Sequence, residues 1–191
     1  MAAIKRGPVF IFLDIDGVLL PFGPGAPIVS TSALFDDRCL IALSTLLDAP
    51  FPPGQRPQVV LSSTWRAQPE FVNSILTDFA RFGKVFESGP LASFTGFFDT
   101  TSVSHFGARQ HEIASWLDQR KGRGEAPPSA WICLDDEELL DGHDCEARRG
   151  FFEGHVVQTK SEVGFTAELA EQAISLLRSQ LLQQQQQQQQ L

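Results

Sequence analysis

Residues 9–19 have the sequence VFIFLDIDGVL, in which an uninterrupted apolar run gives way to two aspartates and a glycine. The apolar part, Val9–Leu13, has the length of a strand and does not alternate with polar residues, which predicts a strand buried on both faces. Asp14 and Asp16 follow where this strand ends, and Gly17 lets the backbone approach a ligand closely. The stretch therefore predicts a strand inside a parallel sheet with a candidate site at its carboxyl end.

The rest of the chain alternates between helix and strand patterns. Apolar residues at helical spacing predict helices over residues 35–47, 69–82, 108–120 and from the candidate N-cap Thr166 to residue 177. Apolar runs predict further strands over residues 58–61, 85–86, 130–134 and 155–159. Residues 88–107 show no clear period, which predicts a long loop or a small hairpin. This order predicts an α/β protein with a three-layer α/β/α Rossmann-like fold around a central parallel sheet.

Length and composition favour one globular domain. The chain has 191 residues, of which 42% are hydrophobic and 20% charged, values typical of a compact domain. We expect a single catalytic domain over residues 1–180 and a glutamine-rich low-complexity tail over residues 181–191. The glutamine tract 183–190 is either a helix extension or a disordered tail.

Charge and cysteine content exclude several classes of partner and site. The net charge of −8 argues against binding of bulk duplex nucleic acid through a broad basic face. No apolar run approaches the roughly 20 residues that a membrane span requires. Three cysteines without a CxxC pair argue against a disulfide framework and a structural zinc site. We expect a cytoplasmic protein without a membrane partner.

Polar side chains follow three of the predicted strands, and the carboxyl ends of parallel strands meet at one edge of a sheet. They are Asp14 and Asp16 after the first strand, Ser62 and Ser63 after the second, and Asp135 and Asp136 after the fourth. Short hydroxyls can donate to phosphate oxygens, and neighbouring carboxylates repel unless a hard cation such as Mg²⁺ lies between them. The alternative for each group is a surface turn, since Asp-Gly, Ser and Thr are all common in turns.

Two arginines are candidate partners of a phosphate. Arg109 opens the helix before the fourth strand, where the helix dipole mildly disfavours a cation, and this favours a purposeful role over that of a generic surface residue. Arg66 follows the second strand and either binds phosphate or substrate or holds its own loop through a carboxylate. The sequence leaves both alternatives for Arg66 open.

These elements, in this order, resemble the haloacid dehalogenase (HAD) superfamily, from about residue 9 to about residue 177. More narrowly, the chain is similar to the small HAD domain of Swiss-army-knife RNA repair proteins. The strings that carry this similarity are FLDIDGVLL, VVLSSTWR, RQHEIASWL, WICLDD and VGFTAELAEQAISLL. The resemblance implies a Mg²⁺-dependent phosphomonoesterase that acts through an aspartyl-phosphate intermediate.

The resemblance also implies a role for each motif residue. Asp14 forms the aspartyl-phosphate, and Asp16 is the general acid and base whose backbone carbonyl also binds the metal. The remaining roles are phosphate binding by Ser62, Ser63 and Arg109, and metal binding by Asp14, Asp16, Asp136 and Asp135, with Asp141 in support. The superfamily usually has lysine where this chain has Arg109, and Lys84 and Lys160 are weaker candidates for that position.

Substrate class follows from Asp16 and from the space around the site. An acid two residues after the nucleophile is needed to protonate an alkoxide leaving group but not a halide, so phosphate esters are favoured. The short segments 21–27 and 88–107 leave room for a minimal cap or none. An open site implies a large substrate that covers it, such as a nucleic-acid end or a protein, or a partner that supplies the lid. The expected partner is a phosphorylated substrate, either a small molecule or a nucleic-acid end. Phe94, Phe97, Phe98 and Phe106 either stack on a base or bury their loop, and burial is favoured.

Two other functions use the same residues. One is a non-catalytic phosphate-binding or interaction module, and the other is a phosphotransferase whose acceptor is not water. Intact carboxylates after both strands argue against the first, and the sequence does not separate the second from hydrolysis.

Overall fold

The computed structural model of the chain describes residues 7–29, 32–51, 55–86, 89–103, 108–140 and 148–189. The strands are β1 Val9–Leu13, β2 Pro57–Leu61, β3 Asp99–Thr100, β4 Ala130–Asp135 and β5 Val156–Gln158. They form one sheet in the order β3-β2-β1-β4-β5, and every neighbouring pair is parallel. The helices are α1 Asp37–Asp48, α2 Pro69–Val85, α3 Arg109–Gly122, α4 Arg149–Phe152 and α5 Ala167–Gln189, with a short 3-10 helix at Thr64–Ala67.

β1 is buried on both faces, which explains why its apolar run does not alternate. On one face Val9 and Leu13 join a core that α1, α2 and α5 complete. On the other face Phe10 and Phe12 contact the ring of Trp116 in α3 edge-on, with ring centroids 5.0 and 5.3 Å apart. Helices therefore cover both sides of the sheet, and the predicted three-layer α/β/α fold with a central parallel sheet is confirmed.

The prediction of a strand at residues 85–86 is wrong. Val85 is the last residue of α2, and the helix runs past the predicted end at residue 82. Gly83 stays helical and packs on the next loop, since a Cβ at Gly83 would lie 2.4 Å from the Cα of Ala92. The third strand is instead Asp99–Thr100, inside the segment that we predicted to be a loop or hairpin. Two exposed polar residues carry no apolar signal from which this strand could be predicted.

The phenylalanines of the segment before α3 are used mainly for packing. Phe94 and Phe97 contact the ring of Phe79 in α2, with centroids 5.3 and 6.5 Å apart. Phe98 is 46% exposed and contacts the ring of Phe10 in β1 at a tilted angle, with centroids 5.4 Å apart. Phe106 lies outside the described residues.

A buried carboxylate ties the segment between β1 and α1 to the body of the domain. Asp78 of α2 accepts hydrogen bonds from the backbone N–H groups of Leu34 and Phe35, both at 3.1 Å. Arg81 donates to the same carboxylate and neutralises its charge. A cap could be inserted in two places, between β1 and α1 or between α2 and α3. In the described parts of these two segments, β3 is the only regular element. The expected minimal or absent cap agrees with this arrangement.

The glutamine tract continues the last helix. Thr166 accepts a hydrogen bond from the backbone N–H of Leu169, which is the contact of an N-cap residue. α5 then extends through Gln189, so the helix-extension alternative holds as far as that residue. Among the described helices, none combines the length and the hydropathy that a membrane span requires.

Candidate active site

A tight turn after β1 places the first two acidic side chains. Asp14 still donates its backbone N–H to Leu134 in β4, so it remains in register with the sheet. Gly17 has φ +67° and donates its N–H to Leu20, at 2.9 Å. A Cβ at Gly17 would lie 2.2 Å from Oδ2 of Asp136. Only glycine therefore fits here, both for its backbone angle and for the space that Asp136 occupies.

Three carboxylates from two neighbouring strand ends form one cluster. Asp14, Asp135 and Asp136 each offer an oxygen, and these oxygens all lie within 4.8 Å of one another. Opposite ligands of an octahedral Mg²⁺ are about 4.2 Å apart, so small side-chain movements would let the three oxygens share one ion. The Asp16 carboxylate is not part of this group among the described residues, and Asp141 lies outside them. The cluster therefore fits a magnesium ion by ligand type and by spacing.

Arg109 is the cation of this cluster. Its Nη2 lies 3.2 Å from Oδ1 of Asp14, its Nε 2.9 Å from Oδ2 of Asp135, and its Nη1 3.3 Å from Glu112. The side chain is only 5% exposed. Lys84 and Lys160, the weaker candidates for this position, are both exposed. The guanidinium thus joins the end of β1 to the end of β4, and its assignment to the position that is usually lysine stays a prediction.

Burial and charge act in opposite directions on these groups. Burial raises the pKa of Asp14, against the attraction of Arg109, and it raises the pKa of Asp135 well above its usual range. Burial by itself lowers the pKa of Arg109, but Asp135 and Asp14 more than offset this and hold it above its ordinary value. One buried guanidinium therefore does not fully compensate the surrounding carboxylates, and a further cation would stabilise their charged forms.

The hydroxyls after β2 lie beside the carboxylate cluster. Ser63 hydrogen-bonds to Asp14 and accepts the backbone N–H of Trp65. Ser62 is fully buried, and its Oγ has no hydrogen-bond partner in the described part of the chain. A buried hydroxyl without a partner is uncommon because it loses its bonds to water. Ser62 therefore has a donor available for a bound group.

Arg66 makes the contacts of the loop-holding alternative. Its Nη2 lies 2.6 Å from the carboxylate of Glu112, and its side chain is 1% exposed. The guanidinium also donates to the backbone carbonyls of Ser62, Thr101 and Ser102. Burial lowers the pKa of Arg66, and Glu112 opposes this. These bonds connect the end of β2 to the segment after β3 and leave the substrate role of Arg66 as a prediction.

Three residues that contact the candidate site residues were not predicted from the sequence motifs. Glu112 bridges Arg66 and Arg109, and its position three residues after Arg109 on one helix face is a usable signal. Trp65 donates its indole N–H to Oδ2 of Asp16 at 2.8 Å. Ser161 donates its hydroxyl to Oδ2 of Asp136 at 2.6 Å. The last two contacts join distant parts of the chain and have no sequence signal.

Comparison with known proteins adds one finding. The model of a protein family described as the HAD domain in Swiss Army Knife RNA repair proteins matches residues 10–170. No curated protein and no solved structure shows a significant match. The matched segment begins at the second residue of β1 and ends inside the first turn of α5, so it contains β1 except Val9, all the other strands and all the site residues described above.

Proposed function

The chain belongs to the family of HAD domains in Swiss Army Knife RNA repair proteins, and on that premise we propose that it is a Mg²⁺-dependent phosphomonoesterase. The family implies a phosphohydrolase type of activity. The finer proposal adds the metal, an aspartyl-phosphate intermediate and the residues that carry them. One observation carries it: Asp14 shares a cluster of carboxylate oxygens with Asp135 and Asp136, while Arg109 contacts the first two.

The metal would be held by Asp14, Asp136 and Asp135, together with the backbone carbonyl of Asp16. When bound, Mg²⁺ supplies positive charge that neutralises both the carboxylates and the phosphate oxygens. Ser161 orients Asp136 through the hydrogen bond to its Oδ2, a contact of the kind that fixes metal-binding carboxylates. In the described part of the chain, Arg66 and Arg109 are the cations that form ion pairs with the carboxylates of this site, which supports the need for a further cation.

In the first step an oxygen of the Asp14 carboxylate attacks phosphorus, and the bond from phosphorus to the leaving oxygen breaks. Asp16 gives its proton to that leaving oxygen. Arg109 and the hydroxyls of Ser62 and Ser63 donate to the phosphoryl oxygens, where charge is concentrated in the transition state. The product of this step is a phosphate covalently bound to Asp14.

In the second step Asp16, now a carboxylate, takes a proton from a water molecule that attacks phosphorus. The bond between phosphorus and the Asp14 oxygen breaks, inorganic phosphate leaves, and both aspartates return to their starting state. Arg109 stabilises the Asp14 carboxylate as it is released, because its Nη2 already lies 3.2 Å from Oδ1 in the free protein.

For the substrate we propose a phosphorylated small molecule or a nucleic-acid end. The family description names RNA repair proteins, and the described segments around the site form no cap domain that would restrict it to small compounds. The overall charge of −8 favours contact with an end over binding along a duplex. The cytoplasmic location and the 1–180 domain boundary stay predictions.

The test is metal-dependent hydrolysis together with trapping of the phosphoenzyme. Purified protein with Mg²⁺ should release phosphate from an aryl phosphate, and Asp14→Asn should lower the rate by at least ~10³-fold. Asp118→Asn, an exposed aspartate on α3, is the matched control and should keep the wild-type rate. Metal-dependent thermal stabilisation without turnover on a broad panel of phosphate esters would favour the binding-module alternative instead.

A further inference from the structure

We propose that Trp65 is a positioning residue for Asp16, and that its indole N–H fixes the orientation of the Asp16 carboxyl group. This inference rests on the proposed function, in which Asp16 protonates the leaving group. The observation behind it is the hydrogen bond from Nε1 of Trp65 to Oδ2 of Asp16, at 2.8 Å. Trp65 touches the general acid and not the nucleophile, so its effect should depend on the leaving group.

The indole is fixed by its neighbours. Its ring lies against Phe35, with centroids 6.1 Å apart, and against Phe71, with centroids 5.3 Å apart. Trp65 also belongs to the 3-10 helix Thr64–Ala67, whose N-cap is Ser63. Because Ser63 hydrogen-bonds to Asp14, one short segment contacts both the nucleophile and the acid. The N–H of Trp65 therefore has a fixed direction relative to the reacting centre.

The backbone of Asp16 is fixed as well. Asp16 forms an isolated bridge with Leu20, and the next residue, Gly17, donates its N–H to the Leu20 carbonyl. The carboxylate can therefore change position only through its own side-chain torsions. The bond to Trp65 selects one of those torsional states and holds the Asp16 carboxyl outside the Asp14, Asp135 and Asp136 cluster. In this state Asp16 does not compete for the metal through its side chain.

The bond also distinguishes the two oxygens of Asp16. Oδ2 accepts the indole N–H, so in the proposed first step Oδ1 is the oxygen that faces the leaving group and gives the proton. During the first step the Oδ1–H bond breaks, and a new O–H bond forms on the leaving oxygen as its bond to phosphorus breaks. Without the indole N–H, the carboxyl would rotate among several states, and fewer molecules would present the proton to the leaving group.

Leaving-group dependence separates this role from a packing role. An alkoxide must be protonated as it leaves, whereas the phenolate of an activated aryl phosphate is a good leaving group without a proton. Trp65→Phe keeps a ring between Phe35 and Phe71 but removes the N–H. We expect it to lower kcat about tenfold for an alkyl phosphate and less than about twofold for 4-nitrophenyl phosphate.

Two further variants keep the test sharp. Phe71→Leu removes a ring that packs on Trp65 but leaves the indole N–H in place, and it should not change the ratio of alkyl to aryl rates. In an Asp16→Asn background, Trp65→Phe should have no further effect on that ratio, because the acid that it positions is gone. Circular dichroism and a urea unfolding midpoint measured on each variant check that the fold is kept.

The outcomes separate this inference from the proposed function. Wild-type protein that turns over no phosphate ester overturns the proposed function and the role of Trp65 with it. An active wild type whose ratio of alkyl to aryl rates is unchanged in Trp65→Phe overturns the positioning role alone. Equal loss on both substrates, matched by Phe71→Leu, also overturns it and identifies Trp65 as a packing residue.

Discussion

The guanidinium of Arg109 joins Asp14 to Asp135, with Nη2 3.2 Å from one carboxylate and Nε 2.9 Å from the other. The two acids stand at the ends of neighbouring strands, where the backbone N–H of Asp14 bonds to the carbonyl of Leu134. Two carboxylates held this close by a sheet repel each other, and the sheet gives them no freedom to separate. Arg109 thus offsets the repulsion between these two carboxylates at the candidate site.

Replacing Arg109 by methionine should therefore lower both stability and activity. The variant leaves two buried carboxylates without their cation, and we expect the free energy of unfolding to fall by about 3 kcal/mol at neutral pH. Phosphatase activity should be lost. Urea unfolding followed by fluorescence measures the first effect, and phosphate release measures the second.

Arg109→Lys is the informative comparison. Lysine keeps the charge, but its three N–H bonds all start from one nitrogen and cannot span Asp14, Asp135 and Glu112 as the planar guanidinium does. We expect most of the stability to be kept while kcat falls about tenfold. A lysine variant with full activity would contradict a role for the planar shape of the guanidinium and leave charge alone as the requirement.

The pKa of Asp135 predicts an unusual pH dependence of stability in metal-free protein. Burial raises this pKa well above the ordinary 3.8, so the folded state binds a proton that the unfolded state releases. The stabilisation that protonated Asp135 contributes is complete below about pH 4, and it is lost as the pH rises through the raised pKa of the folded state. Urea midpoints measured in EDTA should therefore increase as the pH falls from about 7 to about 5.

Asp135→Asn isolates the contribution of that group. His155 acts in the opposite direction in the same range, because burial lowers its pKa and the folded state then resists protonation. The difference in pH slope between wild type and Asp135→Asn removes the His155 contribution. Added Mg²⁺ should flatten the wild-type slope, since a cation favours the ionised carboxylates. Identical slopes in the two proteins would contradict the raised pKa.

The sequence predicted the parts of the molecule that depend on local pattern. The unbroken apolar run of β1 identified a strand buried on both faces, and the acids after β1 and β4 lie together because parallel strands end at one edge of the sheet. The edge strand Asp99–Thr100 could not be predicted, since two exposed polar residues carry no period. The bond between Trp65 and Asp16 depends on how the 3-10 helix packs across the site, which no local pattern encodes.

Gly17→Ala should disable the metal site more than it disturbs the fold. A methyl group at residue 17 would meet Oδ2 of Asp136 at 2.2 Å and push that carboxylate out of the cluster. We expect the thermal stabilisation by Mg²⁺ to disappear and activity to fall at least ~100-fold, in addition to a cost of about 1 kcal/mol for the positive φ.

Gly25→Ala is the matched control for this substitution. Gly25 also has a positive φ, +88°, but nothing lies within 4 Å of the Cβ that it would gain. It should show the cost of the backbone angle and keep the response to Mg²⁺. Retained Mg²⁺ binding in Gly17→Ala would mean that Asp136 is not a metal ligand.

Ser62→Ala should separate stability from function. The Oγ of Ser62 is fully buried and has no partner in the described part of the chain, so the fold gains nothing from it. Removing an unsatisfied buried hydroxyl should leave the free energy of unfolding unchanged or raise it by up to about 1 kcal/mol. If that hydroxyl donates to a bound phosphate oxygen, the inhibition constant of inorganic phosphate should rise about tenfold in Ser62→Ala.

Ser63→Ala provides the contrast, because Ser63 already hydrogen-bonds to Asp14. Its removal should lower both stability and activity, the first by about 1 kcal/mol. The two variants are therefore expected to differ in stability, with Ser63→Ala destabilised and Ser62→Ala not, while both weaken the function of the site. A destabilised Ser62→Ala with unchanged phosphate affinity would show that the hydroxyl stabilises the core. A hydroxyl whose partner is the bound phosphate makes no hydrogen bond in the free protein, so its removal should not destabilise the fold.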